Sequence, residues 1–320
     1  MTGAARPPSD PADEAMVARA DERFAGDRRR RRFRGGALPN LVVIGGLKCG
    51  TTSLHHYLGL HPKVGMSKPK ELNFFVEDLN WSLGTDWYRS RFPAGAEIRG
   101  ETSPHYTNRP RFEGVAERMR ETLGPDARLI YMVRDPIKRL LSHYVHNVGG
   151  GYETRPLVEA IAGDQSSYVQ RGLYAFQLEP YLESFERERI LVVSQEELGA
   201  EREGTMREVF DFLGVEAGFT SEQFEREWET GGARADGGGF KLMDRAVRLP
   251  GLRALDRNFD RMPERMRWMV ERIVHDPGSG PGAKPELPLA ERDRLAAIFA
   301  PEVTRLEEMV GRSFNWLERG

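Results

Sequence analysis

The chain has 320 residues and a mass of 36.3 kDa, room for one large α/β domain or two average ones. Hydrophobic residues make up 39% and charged residues 30%, with a mean hydropathy of −0.56; this composition excludes a disordered chain and points to a soluble globular protein. Lys and Arg number 47 against 49 Asp and Glu, a formal net charge of −2, so no overall basic field argues for nucleic acid as the main partner.

Residues 1–38 are rich in Ala, Pro, Asp and Arg, contain the run Arg28–Arg32, and show no sustained apolar period. They are expected to form a disordered Arg-rich arm ahead of a single domain over residues 39–320. No apolar segment follows the basic stretch as a signal peptide would require, and the apolar run Leu41–Leu47 is far shorter than the roughly 20 residues that span a bilayer. A single cysteine, Cys49, allows no intrachain disulfide and favours a reducing compartment. The expectation is a cytoplasmic protein with no membrane span.

From Leu41 onward the texture changes. Leu41-Val42-Val43-Ile44 is a continuous apolar run, the pattern of a strand buried on both faces, and similar runs recur at 97–101, 128–133 and 189–193. Stretches of helical period lie between and after them, at 110–123, 136–147, 173–185 and 289–310, while the Gly- and Pro-rich segments 232–240 and 276–288 read as loops. Strands alternating with helices predict an α/β fold, a central parallel sheet covered on both sides.

The segment Leu41–Leu54 reads as strand, glycine turn and helix start. Such a turn aims free backbone N–H groups and the positive end of a helix dipole at one point, where a phosphate sits favourably. Gly50 lets the backbone approach closely, Thr51, Thr52 and Ser53 add hydroxyl donors, and Lys48 adds a full charge. A Walker A loop needs its lysine directly after the second glycine; here Thr51 follows Gly50 and Lys48 precedes it. A P-loop nucleotide kinase or triphosphatase is therefore the alternative reading. Farther along, the strand 128–133 ends in Arg134-Asp135-Pro136, and Ser142 follows on the next helix. An arginine at the carboxyl end of a parallel strand stands where open α/β sheets bind ligands, and with one hydroxyl donor it suits a phosphate monoester; Asp135 could equally serve as a cap paired with Arg134.

Taken together, Leu47-Lys48-Cys49-Gly50-Thr51-Thr52 and Arg134-Asp135-Pro136-Ile137-Lys138-Arg139-Leu140-Leu141-Ser142 resemble the two phosphate motifs of the sulfotransferases that use 3′-phosphoadenosine-5′-phosphosulfate (PAPS). Lys70–Phe75, Gly100–Tyr106, Arg171–Tyr174, Phe212–Val215 and Val310–Trp316 extend the likeness to the heparan sulfate 3-O- and N-sulfotransferase branch. The resemblance implies a three-layer, P-loop-like α/β/α fold and a sulfuryl transfer that leaves adenosine 3′,5′-bisphosphate. It implies that Lys48, Cys49, Gly50, Thr51, Thr52 and Ser53 hold the 5′-phosphosulfate and that Arg134 and Ser142 hold the 3′-phosphate. Gly239, Phe240 and Lys241 are the candidates for the late cosubstrate loop. Glu71 matches the glutamate that serves as base in the glycan branch, where the neighbouring Phe74-Phe75 suggests an apolar setting, and His105 is the runner-up because the small-molecule branch uses histidine; read from the residues alone, Glu71 could equally be a surface carboxylate paired with Lys68 or Lys70. Two departures stand out: Thr102 occupies a place where some members have lysine, and those glycan enzymes are typically Golgi membrane proteins, often with a disulfide. No metal is implied, and the acceptor would be a small molecule or a carbohydrate. Cys49 at a helix start has the setting of an activated thiol, but family members usually carry serine there, so it reads as a tolerated small residue.

Overall fold

The computed structural model describes residues 35–225 and 285–317 continuously, and within the N-terminal arm residues 14–15, 17–18, 22–29 and 33. Five strands form one sheet: β1 (Leu41–Gly45), β2 (Val64–Met66), β3 (Ile98–Thr102), β4 (Arg128–Val133) and β5 (Ile190–Ser194). Their order is β2-β3-β1-β4-β5 and every pairing is parallel. β1 lies at the centre with all five residues buried, which is what its unbroken apolar run requires, since a polar side chain on either face would have met a covering helix.

The longer helices are α1 (Thr51–Leu58), α2 (Gly84–Arg89), α3 (Val115–Leu123), α4 (Pro136–Gly149), α5 (Tyr174–Ser184), α6 (Gln195–Ala200), α7 (Arg202–Leu213) and α8 (Leu289–Val310). They complete a three-layer α/β/α architecture. α1 crosses the β1–β3–β2 side of the sheet, and its Tyr57 ring meets Phe224 edge-on at 5.5 Å beside Phe210 of α7. α5 packs with α3 and α8, and its Tyr174 lies edge-on to Tyr131 of β4 at 6.0 Å. A smaller apolar cluster of Ile137, Leu140, Tyr168, Leu295 and Phe299 ties α4 to α8.

The expected strands and helices are found with small shifts. The helix expected from residue 110 begins at Val115, because Phe112 closes a tight turn onto the Asn108 carbonyl (2.9 Å) and Gly114 adopts φ 71° before the first helical residue. The segment at 232–240, and all but residues 285–288 of the one at 276–288, lie outside the described residues.

The arm was expected to be a solvated tail, and its described stretch 22–29 departs from that. Phe24 is buried edge-on against Trp87 at 5.1 Å, and Asp27 accepts from Trp87 Nε1 (3.0 Å) and pairs with Arg91 (2.6 Å). Arg23 and Arg28 add hydrogen bonds to the Lys70 and Leu79 carbonyls (2.7 and 3.0 Å), and none of these contacts gives a periodic signal in the sequence. Asp27→Ala is expected to lower stability by about 1–3 kcal/mol, the cost of leaving buried donors without their acceptor. Urea unfolding checks this; a midpoint equal to wild type would mean that the docked arm adds nothing to the folded state.

Candidate active site

The chain leaves β1 toward α1 and β2 on one side of the sheet, whereas β4 leads to β5 on the other. The crevice between the carboxyl ends of β1 and β4 is therefore the switch point of the sheet, the place where open α/β folds bind ligands. Both sequence motifs end there. The loop after β1 runs through Gly46, whose N–H donates to the Met132 carbonyl of β4 (2.6 Å), and reaches α1 at Gly50, which has φ 83°. A Cβ at Gly50 would sit 3.2 Å from the Gln195 side chain, and one at Gly45 would sit 2.0 Å from Thr107 Oγ1. Glycine is thus needed at both ends of the turn, for conformation and for space.

α1 has no side-chain cap and no acidic residue in its first turn, so the N–H groups of Thr51, Thr52 and Ser53 face the crevice end without a carboxylate to neutralise the dipole. Lys48 is held at φ 64°, a left-handed backbone that costs a non-glycine residue energy. Its carbonyl accepts from Arg134 Nη1 (3.4 Å), which links the two loops. Neither Lys48 nor Arg134 pairs with a carboxylate among the described residues. Two half-buried cations and an open helix start converge on one crevice, an arrangement that favours a polyanion. Asp135 takes the capping role: its Oδ1 accepts the Lys138 N–H (2.9 Å) and Pro136 begins α4. Ser142 is half-buried in the second turn of α4.

Tyr174 is a member of this site that the motifs did not reveal as such. Its hydroxyl donates to the Arg134 carbonyl (2.7 Å) and stands 3.6 Å from Cys49 Sγ, so α5 supports both loops from beneath. Cys49 points inward, fully buried, and burial pushes its thiol up to about 12. It contributes backbone and packing, and the activation that a helix start alone would suggest is overridden by the loss of water. In native protein at pH 8, Cys49 is expected to resist thiol-disulfide reagents and to react only on unfolding; rapid stoichiometric labelling of the folded chain would contradict this burial.

On the other flank of β1, the Glu71 N–H donates to the Thr102 carbonyl at the end of β3 (2.9 Å), which places Glu71 at the same carboxyl edge as the loop. Glu71 and Asn73 also adopt left-handed backbone, φ 64° and 48°. Among the described residues, five non-glycine positions have positive φ, and Lys48, Glu71 and Asn73 are three of them. The apolar setting expected for Glu71 is not what the structure has. Phe74 and Phe75 are wholly buried, whereas the Glu71 side chain is 37% exposed and pairs with Lys70 at 2.6 Å. The two left-handed residues break the register, so that the phenyl rings enter the core while the carboxylate stays at the edge.

His105 follows β3 and is buried, with Arg171 Nη2 3.3 Å from its Nδ1. A guanidinium has donors only, so Nδ1 accepts and the neutral ring carries its proton on Nε2. His55 on α1 lies 3.0 Å from Thr102 Oγ1, and burial together with the nearby His56 and Lys70 holds it well below the usual histidine range. Gly239, Phe240 and Lys241 lie outside the described residues.

Comparison with known proteins identifies the family. The family model described as "Sulfotransferase domain" matches residues 38–230. Mouse heparan sulfate glucosamine 3-O-sulfotransferase 3A1 is 34% identical over 197 residues, 58% of this chain and 48% of that protein. Human heparan sulfate glucosamine 3-O-sulfotransferase 6 is 28% identical over 297 residues, 90% of this chain and 75% of that protein. The chain spans about half the length of the 3A1 and 3B1 relatives it matches. The crystal structure of a sulfotransferase from Alicyclobacillus acidocaldarius superposes with a TM-score of 0.60 at 26% identity, covering 87% of this chain and 98% of that one. The matched segment contains both loops, the five strands that carry them and the Glu71 and His105 positions; the chain belongs to the sulfotransferase family.

Proposed function

We propose that this protein transfers a sulfuryl group from PAPS to a hydroxyl or amine of its acceptor, with Glu71 as general base and Lys48 stabilising the departing phosphate. The observation that carries this reading is the juxtaposition at the switch point: Lys48 and Arg134, joined through the Lys48 carbonyl and without carboxylate partners among the described residues, beside an uncapped helix start. The donor set fits the cosubstrate, since the uncapped start of α1 with Lys48 suits one phosphate and the Arg134 guanidinium with the Ser142 hydroxyl suits another. Bound there, PAPS supplies an activated sulfuryl group on a phosphate leaving group.

The chain's residues then have distinct tasks. The first-turn amides of α1 and the hydroxyls of Thr51, Thr52 and Ser53 hold the 5′ side, and Cys49 and Gly50 contribute backbone. Lys48 meets negative charge that grows as the bond to the leaving oxygen breaks, where fixed positive charge counts most. Arg134 and Ser142 hold the 3′-phosphate. Glu71 takes the acceptor's proton. His105 is less suited to that task, because Arg171 occupies its Nδ1 and the remaining nitrogen carries hydrogen. Gly239, Phe240 and Lys241 complete the proposed cosubstrate loop.

The names of the relatives suggest a glucosamine-containing polysaccharide as the first acceptor to try, and the single cysteine favours a cytoplasmic setting. The test is transfer of radiosulfur from labelled PAPS to heparan sulfate, to desulfated heparosan and to a phenol. Label in a polysaccharide product is expected; label in none of the acceptors, with none released to water, would reject the transferase reading.

A further inference from the structure

Glu101 is a wholly buried carboxylate in β3 that no lysine, arginine or histidine among the described residues contacts. Its partners are three hydroxyls: Tyr88 and Tyr106 donate to Oε1 and Ser103 donates to Oε2, the last two at 2.7 Å. A carboxylate without a counter-ion in a dry interior is costly: burial pushes the Glu101 carboxyl up, and the hydrogen bonds from Tyr88, Ser103 and Tyr106 oppose that shift. What a carboxylate alone provides is a group that only accepts, so each hydroxyl must aim its proton inward and keep its lone pairs facing outward.

Two of those hydroxyls use their lone pairs on the segment that carries Glu71. Ser103 Oγ accepts the Asn73 N–H (3.0 Å) and Tyr106 OH accepts the Phe75 N–H (3.5 Å), while the Thr102 carbonyl accepts the N–H of Glu71 itself (2.9 Å). Alternate amides at 71, 73 and 75 are thus fastened to 102, 103 and 106, and the left-handed turns at Glu71 and Asn73 are held in place. The third hydroxyl, Tyr88, anchors Glu101 without a hydrogen bond to that segment. Burial and the adjacent Glu101 push both tyrosines well above their ordinary range, so they remain donors.

We propose that Glu101 is a positioning residue for the transfer reaction, polarising Ser103 and Tyr106 so that they lock the 71–75 backbone and aim Glu71. The proposal rests on the reading of Glu71 as base. It differs from a purely structural role because all three hydroxyls donate to Glu101, but only those of Ser103 and Tyr106 also accept from the base segment.

The test compares Glu101→Gln, Ser103→Ala, Tyr106→Phe and Tyr88→Phe, each alone and combined with Glu71→Gln. Turnover is read as radiosulfur transfer from PAPS to heparan sulfate and, in its absence, to water; adenosine 3′,5′-bisphosphate affinity and melting temperature are measured alongside. The first three are expected to lose about tenfold in kcat, as small misplacements of a reacting group do, with bisphosphate affinity kept within about twofold. Tyr88→Phe is expected to lower the melting temperature and keep kcat. In the Glu71→Gln background the first three should cost nothing further, because the group they aim is already disabled. Unchanged kcat in Ser103→Ala and Tyr106→Phe, an equal loss in Tyr88→Phe, or losses that multiply with Glu71→Gln would overturn the proposal. If Tyr106→Phe fails to fold, Ser103→Ala decides. Normal turnover in Glu71→Gln itself rejects the base reading, a result distinct from slow Glu71→Gln beside normal Ser103→Ala.

Discussion

Glu71→Gln is expected to lower turnover by about 10²-fold or more, the low end of what a positioned base contributes, with cosubstrate affinity unchanged. Glutamine keeps the shape of the side chain and can still meet Lys70, which now stands 2.6 Å from Oε1, but it cannot take a proton. The left-handed backbone at Glu71 and its tie to the Thr102 carbonyl do not involve the carboxylate, so the fold should survive. Loss of turnover and of bisphosphate binding together would instead mean that Glu71 supports the crevice. His105→Ala serves as the comparison: with Nδ1 accepting from Arg171, its removal is expected to cost less than Glu71→Gln. Near-normal turnover in Glu71→Gln beside a dead His105→Ala would transfer the role of base to the histidine and favour a small hydroxylated acceptor.

The second large effect separates the two loop cations. Arg134→Ala is expected to weaken adenosine 3′,5′-bisphosphate binding by about 2–4 kcal/mol, the cost of leaving a phosphate without its charged partner. Lys48→Ala is expected to act on turnover, by about 10²–10³-fold, because charge at the leaving oxygen develops only as the bond breaks. The Arg134 guanidinium also reaches the Lys48 carbonyl (3.4 Å), so Arg134→Ala should lower turnover as well, by less than Lys48→Ala does. Calorimetric titration with the bisphosphate and steady-state rates on the two variants distinguish the roles. Unaltered affinity in Arg134→Ala would remove that residue from the site.

The parts of the candidate site that could be read from the chain are those whose local geometry is written in consecutive residues. A strand buried on both faces must be continuously apolar, so β1 and β4 were visible, and the glycine turn and the Arg-Asp-Pro strand end followed directly from them. Asp135 as helix cap was one of the options open in the sequence, and the structure selects it. Pairings between distant residues left no local trace. Arg171 and His105 are 66 positions apart and His55 and Thr102 are 47 apart, and no periodicity ties either pair. For Glu71 the sequence left open an apolar surround and a surface pairing with Lys68 or Lys70; the two adjacent phenylalanines favour the first only if the backbone keeps an ordinary register, and the left-handed residues at 71 and 73 abolish it, leaving the pairing with Lys70. The docking of Phe24 and Asp27 was hidden because one aromatic residue in a polar arm has no pattern.

The most direct test of the central claim is an equilibrium competition between adenosine 3′,5′-bisphosphate and ATP with Mg²⁺ for the unmodified protein. If Lys48 with the α1 start takes one phosphate and Arg134 takes another, and with the lysine preceding Gly50 instead of following it, the bisphosphate is expected to bind tightly and ATP with Mg²⁺ to displace it poorly. Tight, Mg²⁺-dependent ATP binding that excludes the bisphosphate would contradict the account.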